Sequence, residues 1–538
     1  DDWAHPLKIE TQVRFLIDNP GMMGCTSQQA RATPELDFTV LRERGAFIIP
    51  NISSFMYRRK PVLEKVGYWD NVRFGADVQF IRRVRKAFGN DTVQHLNTGI
   101  LAFQRATPDS ATGDETFGYD GFKFGARRIY EEIEKAWLEN ADSPYLERFP
   151  DKRPFFAPGP MRPVRPAAKG EVRHFDVILA SDFRFPGGTT SSNAEEIKAQ
   201  KAAGLRTGLV ELSNYELNPA RRINDKILSQ IDGDSVELLC HGETVECDTL
   251  VIRQPMAFNW AQRYVPTIRA KQIRVIVNQP PMRAYGEERA ELYNLRSSAE
   301  AVQQMFGHSS EGPPVWHPIG PLVREALLEH HADELDAINL SEHDWFNIID
   351  IKQWARPARP EPGNRPIRIG RHSRDAEVKW PSDPDSLLAA YPPDADFEIH
   401  VLGGAATPRK VLAPRFAGEL PGNWRVQEFG SVEPKDFLSG IDIFVYYTHP
   451  DWVEAFGRAI FEPMCVGVPC ILPPEFKKLF GPAAIYAAHP GEVAGIARDL
   501  YGNPDKYEAQ VQKALDHVQR FFSHETHIRR LKEGPVKP

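Results

Sequence analysis

The sequence predicts an α/β protein with two doubly wound parallel sheets in tandem, on three observations. Short apolar runs alternate with helix-compatible segments along two long stretches, the pattern of parallel strands joined by right-handed crossovers. Two proline-rich stretches separate those stretches from each other and from a first block. At 538 residues, with 41% apolar residues and a mean hydropathy of −0.43, the chain has room for three or four globular units and the composition of a water-soluble one.

The dividing stretches are residues 149–168, FPDKRPFFAPGPMRPVRPAA, and 355–366, ARPARPEPGNRP, both too rich in proline for a helix or a central strand. They give a first block at 1–150, a linker at 151–174, an α/β domain at 175–355, a second linker at 356–366, and a further α/β domain at 367–520. A helix and tail close the chain at 521–538. In the first α/β domain the candidate strands are 175–180, 207–212, 249–253 and 272–277, with a turn at 185–192 and a helix from about residue 193. In the second they are 366–370, 398–402, 424–429, 441–446 and 468–472, and residues 504–532 are charged and helix-compatible.

Charge and cysteine content exclude several classes. A net charge of −7 argues against general nucleic-acid binding, and the basic clusters 58–60 and 82–86 fit solvated helix faces. Five cysteines, Cys25, Cys240, Cys247, Cys465 and Cys470, fit neither a disulfide framework nor the ligand spacing of zinc. They place the chain in a reducing cytoplasm. No apolar run approaches the ~20 residues of a membrane span, which leaves peripheral association at the inner membrane face as the only membrane contact. The start at Asp1-Asp2-Trp3, without methionine, suggests a piece of a longer protein.

Chemistry concentrates at 447–469, YTHPDWVEAFGRAIFEPMCVGVP, between two apolar strands. In an open parallel sheet this is where ligands sit, beyond the carboxyl ends of the strands. Gly457 lets the backbone come close to a ligand, and the helix beginning there offers free N–H groups to a diphosphate. Glu454 precedes that helix and Glu462 lies within it, so one carboxylate can meet a sugar hydroxyl and the other a ribose diol. The segment resembles the signature of retaining GT-B glycosyltransferases of the glycosyltransferase 4 type: a loop glutamate, Phe-Gly, and a second glutamate before small-x-Gly-x-Pro. The resemblance implies that Glu454 contacts the donor sugar, Gly457 the diphosphate and Glu462 the nucleotide ribose, with Phe456 also on the donor-binding side.

Three further segments carry the resemblance. Residues 369–381, IGRHSRDAEVKWP, resemble the Gly-Arg strand end and later lysine whose cations neutralise the departing diphosphate, which implies Arg371 and Lys379, with Arg374 as a competing cation. Fixed positive charge is what a leaving nucleoside diphosphate requires in a water-poor cleft. The turn Gly187-Gly188-Thr-Thr resembles the glycine-rich loop of the first GT-B domain, and Val315-Trp-His-Pro-Ile-Gly320-Pro a segment near that domain's end, without its asparagine. The family often carries a histidine after its middle strands, where this chain has Arg253-Gln254 and Asn278-Gln279. No catalytic histidine is therefore assigned, and His372 and His449 are expected to be structural.

The first block resembles the distal half of a family 2 GT-A glycosyltransferase through Asp1-Asp2-Trp3, 51–59, Gly67-Tyr-Trp-Asp70 and Gly75-Ala-Asp77. That implies Asp1 and Asp2 as ligands of a divalent cation (Mg or Mn) in a domain completed upstream, and Asp77 as its base. Taken together, the resemblances imply a bifunctional enzyme of surface-polysaccharide biosynthesis, in which residues 175–520 move a sugar from a nucleotide-sugar donor to a glycan or glycolipid acceptor with retention. The GT-B site would need no metal. The alternatives are a nucleotide-sugar epimerase and a non-catalytic nucleotide- or glycan-binding scaffold.

Overall fold

The computed structural model describes residues 2–40, 45–107, 117–118, 123–163, 172–185, 187–214, 221–285, 290–361, 363 and 365–534. The first block is a mixed sheet of β1 (Trp3–Ala4), β2 (Gly24–Ala32), β3 (Phe38–Thr39), β4 (Ile49–Pro50), β5 (Met56–Tyr57) and β6 (Val93–Arg105). Its order is β1-β6-β2-β3, with β4 and β5 also on β2; only β2 and β6 run parallel. Helices Arg59–Val66 and Ala76–Phe88 supply its core through Val62, Val66, Phe80, Ile81 and Val84. Two of the basic residues expected on solvated faces are structural. Fully buried Arg83 donates to the Val66 and Tyr68 carbonyls, each at 2.6 Å, and Arg58 donates to the Met22 carbonyl at 2.8 Å.

The next domain holds β7 (Arg173–Ser181), β8 (Thr207–Glu211), β9 (Val236–Leu239), β10 (Thr244–Arg253), β11 (Thr267–Val277), β12 (Val315–Pro318) and β13 (Asn339–Leu340). The strands are all parallel in the order β13-β12-β11-β10-β7-β8-β9. Its central strands are apolar on both faces, as Val177, Ile178, Leu179 and Ala180 show, because helices cover both sides of the sheet. The last domain repeats the design with β14 (Ile367–His372), β15 (Phe397–Leu402), β16 (Trp424–Gln427), β17 (Ile443–Val445), β18 (Cys470–Leu472) and β19 (Ile485–Tyr486). It too is all parallel, in the order β16-β15-β14-β17-β18-β19. Counted within each domain, both sheets have the doubly wound order 3-2-1-4-5-6, the first with one strand more. The predicted α/β class with two Rossmann-like domains is the observed one.

Two expected boundaries are corrected. The segment predicted as a linker before the first α/β domain is packed at its start: Phe155, Phe156, Ala157 and Met161 are buried in the core that also holds β7 and the helix Ala126–Asn140. Its later residues 164–171 lie outside the described ones. At the other end, the expected boundary at 520/521 falls inside the helix Pro504–Phe522, and a second helix, His524–Glu533, follows Ser523. The second packs back on the helix Gly188–Ala202 of the first Rossmann domain.

A buried cluster fixes that return. Glu196, on the helix Gly188–Ala202, accepts from Arg253 at 2.5 Å, Arg530 at 2.7 Å and Trp345 Nε1 at 2.9 Å. Burial opposes its charge, but Arg253 and Arg530 outweigh burial and hold its carboxyl down at about 2. Burial also lowers His527 to about 3, so this histidine is neutral beside Gln200, at 3.0 Å.

Candidate functional site

The reversal of strand order in the second sheet lies between β14 and β17, and the loops after these two strands build the site. Arg371 lies near the carboxyl end of β14, and the loop after that strand carries Arg374 and Lys379; the loop after β17 leads through Glu454 into the helix Arg458–Val466. A backbone hydrogen bond, His449 N–H to the Val378 carbonyl at 3.2 Å, joins the two.

Two helix N-termini face this edge, and they differ. The helix Ala406–Phe416 is closed by Asp375, whose carboxylate accepts from the amides of Ala406 and Thr407. The helix Arg458–Val466 has no side-chain cap. Its first turn is set by Gly457 at φ +71°, a left-handed backbone that favours glycine, and a Cβ there would also press on Ile460 Cδ1 at 2.6 Å. Without a side-chain cap, and with the positive end of the helix dipole, this terminus is the one of the two suited to an anion.

Lys379 and Glu454 meet beside it, Nζ to Oε2 at 2.5 Å, and Tyr446 Oη donates to the same oxygen at 2.9 Å. Burial pushes the Glu454 carboxyl up, but the Lys379 ammonium and the Tyr446 hydroxyl outweigh it and hold it below its ordinary value. Glu462, one turn further into the helix than Arg458, pairs with Arg458 Nε at 3.0 Å and has His372 Nε2 at 3.3 Å. His372 is not an ionic partner, because burial lowers it to about 4. Burial also dominates at Glu462, whose carboxyl is raised despite Arg458 and, from the first domain, Lys226.

Two of the predicted residues have other work. Arg371 is fully buried. Its guanidinium donates to Tyr391 Oη at 2.7 Å, to the Tyr447 carbonyl at 2.9 Å and to the Lys379 carbonyl, and it lies over the rings of Trp380 at 4.2 Å and Tyr446 at 4.4 Å. The expectation that it meets a phosphate is corrected for this conformation: Arg371 positions the backbone of the Lys379 and Glu454 loops. Arg374, by contrast, is exposed and has no ion-pair partner among the described residues.

Phe456 is likewise buried, its ring in an aromatic cluster with Phe346 of the first domain at 6.2 Å and Phe461 at 5.3 Å and Phe522 at 5.5 Å. This corrects its expected role at the donor. Phe456→Ala should cost stability, about 3–5 kcal/mol as for other buried aromatics, while the folded protein keeps its ligand affinity. Chemical denaturation beside a binding titration reads both quantities.

Across the cleft, the helix Gly188–Ala202 starts at the end of β7, again at a strand-order reversal, with Gly187 and Gly188 exposed and no side-chain cap. Gly187 has extended backbone that any residue could adopt, so the turn does not demand glycine there. The carboxyl ends of β7, β10 and β11 are stitched by Gln254, which sits at φ +62°. Its Oε1 accepts from Ser181 Oγ at 3.1 Å and the Asp182 amide at 3.0 Å, and its own amide donates to Asn278 at 3.0 Å. Gly320 brings the first domain against the motif loop, its Cβ direction 3.5 Å from the Ala455 carbonyl.

In the first block, Asp1 lies outside the described residues. Exposed Asp2 accepts from the Arg105 amide at 3.1 Å, and Asp77, in the first turn of its helix, accepts from the Val78 amide at 2.8 Å. No group of three His, Cys, Asp or Glu side chains that could hold a metal occurs among the described residues. No described helix is long and apolar enough to cross a membrane.

Sequence reasoning missed Tyr446, Tyr391, Arg458 and Lys226. Only Arg458 had a local signal, as the first helical residue after Gly457.

No protein-family model and no curated protein matches the sequence. Among solved structures, HepE of Anabaena in complex with UDP and glucose is similar over 67% of this chain and 99% of its own, at 12% identity and a TM-score of 0.45. A glycosyltransferase from Rickettsia africae is similar over 67% and 96%, at 14% identity and a TM-score of 0.42. WaaG, a glycosyltransferase involved in lipopolysaccharide biosynthesis, is similar over 64% and 95%, at 14% identity and a TM-score of 0.38.

Proposed function

We propose that residues 175–520 are a nucleotide-sugar-dependent glycosyltransferase of GT-B type that transfers with retention to a glycan or glycolipid acceptor in surface-polysaccharide assembly. One observation carries the reading. At the strand-order reversal of the second sheet, an uncapped helix N-terminus lies beside a Lys379–Glu454 pair, with Glu462 in the same helix. An open helix end and a lysine suit a diphosphate, and two carboxylates suit hydroxyl-rich groups on either side of it.

In this reading the diphosphate sits on the amides after Gly457, Lys379 and Arg374 balance the charge that grows as the glycosidic bond breaks, and Glu454 orients the sugar. Glu462 accepts from the ribose hydroxyls. Retention follows if the donor's departing phosphate oxygen takes the acceptor proton on the same face, which requires no protein base. Gly187 and Gly188 face the acceptor side. Closure of the domains would strip water from the cleft and limit donor hydrolysis.

The test is a panel of nucleotide sugars offered to the full chain with simple glycoside acceptors, read by nucleoside diphosphate release and by NMR of the product's anomeric centre. The expected outcome is turnover of one donor with its anomeric configuration kept. Inverted product would sink the retaining mechanism.

A further inference from the structure

The chain passes between the two Rossmann domains twice, and the two crossings touch. The amide of Ile349, on the first, donates to the carbonyl of Phe522, at the start of the second, at 2.9 Å. One side chain of the first domain staples both: Glu195 Oε2 accepts from the Asp350 amide at 3.2 Å and from His524 Nε2 at 2.9 Å, while its Oε1 meets Lys198 at 3.0 Å. The crossings are thus a defined hinge.

Arg458 connects that hinge to the site. It is the first residue of the motif helix, and its placement is fixed by the left-handed Gly457 before it. Its Nε pairs with Glu462 at 3.0 Å, and its Nη1 reaches the Ile348 carbonyl at 3.5 Å, one residue before the hinge hydrogen bond. A guanidinium can do both at once because its donors diverge in a rigid fork, whereas a lysine offers a single point of donation.

We infer that Arg458 is a positioning residue that ties the Glu462 carboxylate to the interdomain crossing, so that what Glu462 holds sets how the two domains are disposed. A ligand hydroxyl that takes Glu462 Oε1 competes with Arg458 Nε for that oxygen and changes the pull on Ile348. The coupling to a ligand rests on the proposed donor reading; the mechanical link does not.

The experiment is amide hydrogen exchange on the full chain, comparing wild type, Arg458→Leu and Arg458→Lys. Arg498→Leu serves as the control, since Arg498 pairs on the surface with Asp394 and Asp396, each at 3.0 Å. Each protein is measured alone and with UDP, GDP or ADP. Without nucleotide, Arg458→Leu should speed exchange over 347–351 and 521–525 about two- to threefold, the low end for one hydrogen bond as its 3.5 Å length implies, and the control should not. Unchanged exchange at both crossings overturns the link. Should Arg458→Leu fail to fold, Arg458→Lys carries this comparison. With a nucleotide that binds, wild type should slow at the crossings and both Arg458 variants should bind without slowing; equal slowing in Arg458→Leu overturns the coupling. A wild type that binds none of the three counts against the donor reading, and the nucleotide-free comparison still decides the link.

Discussion

Lys379→Ala is expected to lower donor turnover by roughly 10²–10³-fold, the loss found when one preorganised partner of developing charge is removed. The ammonium stands beside the open helix terminus; among the described residues its ion pair is with Glu454, at 2.5 Å, and it lies 4.9 Å from the centre of the Trp452 ring, so it can turn to a leaving diphosphate without breaking a deeper network. The effect should fall mainly on kcat, because the charge it meets grows as the bond breaks. Its removal leaves Glu454 with the Tyr446 hydroxyl at 2.9 Å, and the carboxyl should shift upward towards and beyond its ordinary value. Combining Lys379→Ala with Glu454→Gln removes the uncompensated charge and should restore stability without activity. Steady-state kinetics and denaturation of both variants check this, and turnover within about threefold of wild type for Lys379→Ala would refute the leaving-group role.

The second large effect is structural. Glu196→Ala should destabilise the junction by about 3–5 kcal/mol, since it leaves buried arginines without their carboxylate. Both Arg253 and Arg530 are buried against Glu196, and Arg530 also holds the Phe346 carbonyl at 2.5 Å. The terminal helix His524–Glu533 should then detach from the first domain, seen as proteolytic cleavage near Ser523 and fast exchange beyond it. The pH dependence has a defined sign. With its carboxyl held at about 2 in the fold, below the ordinary 4.5, Glu196 contributes its full stability above about 4.5 and loses it as pH falls towards about 2. In Glu196→Ala that acid-side loss should vanish. A helix that stays docked in this variant would contradict the account of the junction.

How much of this was legible depended on how local the chemistry is. Glu454, Gly457 and Glu462 lie within nine residues, and an uncapped helix after a buried strand is a local arrangement, so their positions could be read directly. Lys379 could be assigned by type. Arg371 could not, because its fate is set by an aromatic cage of Trp380, Tyr391 and Tyr446 that only the folded sheet brings together. Phe456 is a similar case, packed by Phe346 and Phe522 from far along the chain.

The fold shows the same division. Strands β7, β10, β11 and β15 were visible through their apolar stretches, but Val236–Leu239 and Val315–Pro318, four residues each and the second ending in proline, were not. Proline density in 149–168 suggested a linker and hid Phe155, Phe156 and Met161, whose burial outweighs the lack of regular structure. The return of the terminal helix was hidden because its buried face is polar: Thr526, His527 and Arg530 read as a solvated stripe until Glu196 is placed against them.

The central claim is that Glu462 and the open helix beside it hold the nucleotide part of a sugar donor. Calorimetric titration of the full chain with the nucleoside diphosphate of the active donor, wild type beside Glu462→Ala, tests it most directly. The account predicts saturable binding by wild type and a loss of at least about tenfold in affinity in the variant, the value of a hydrogen-bonded charged group. Equal affinity in the two proteins, or none in wild type for any nucleotide, would contradict it.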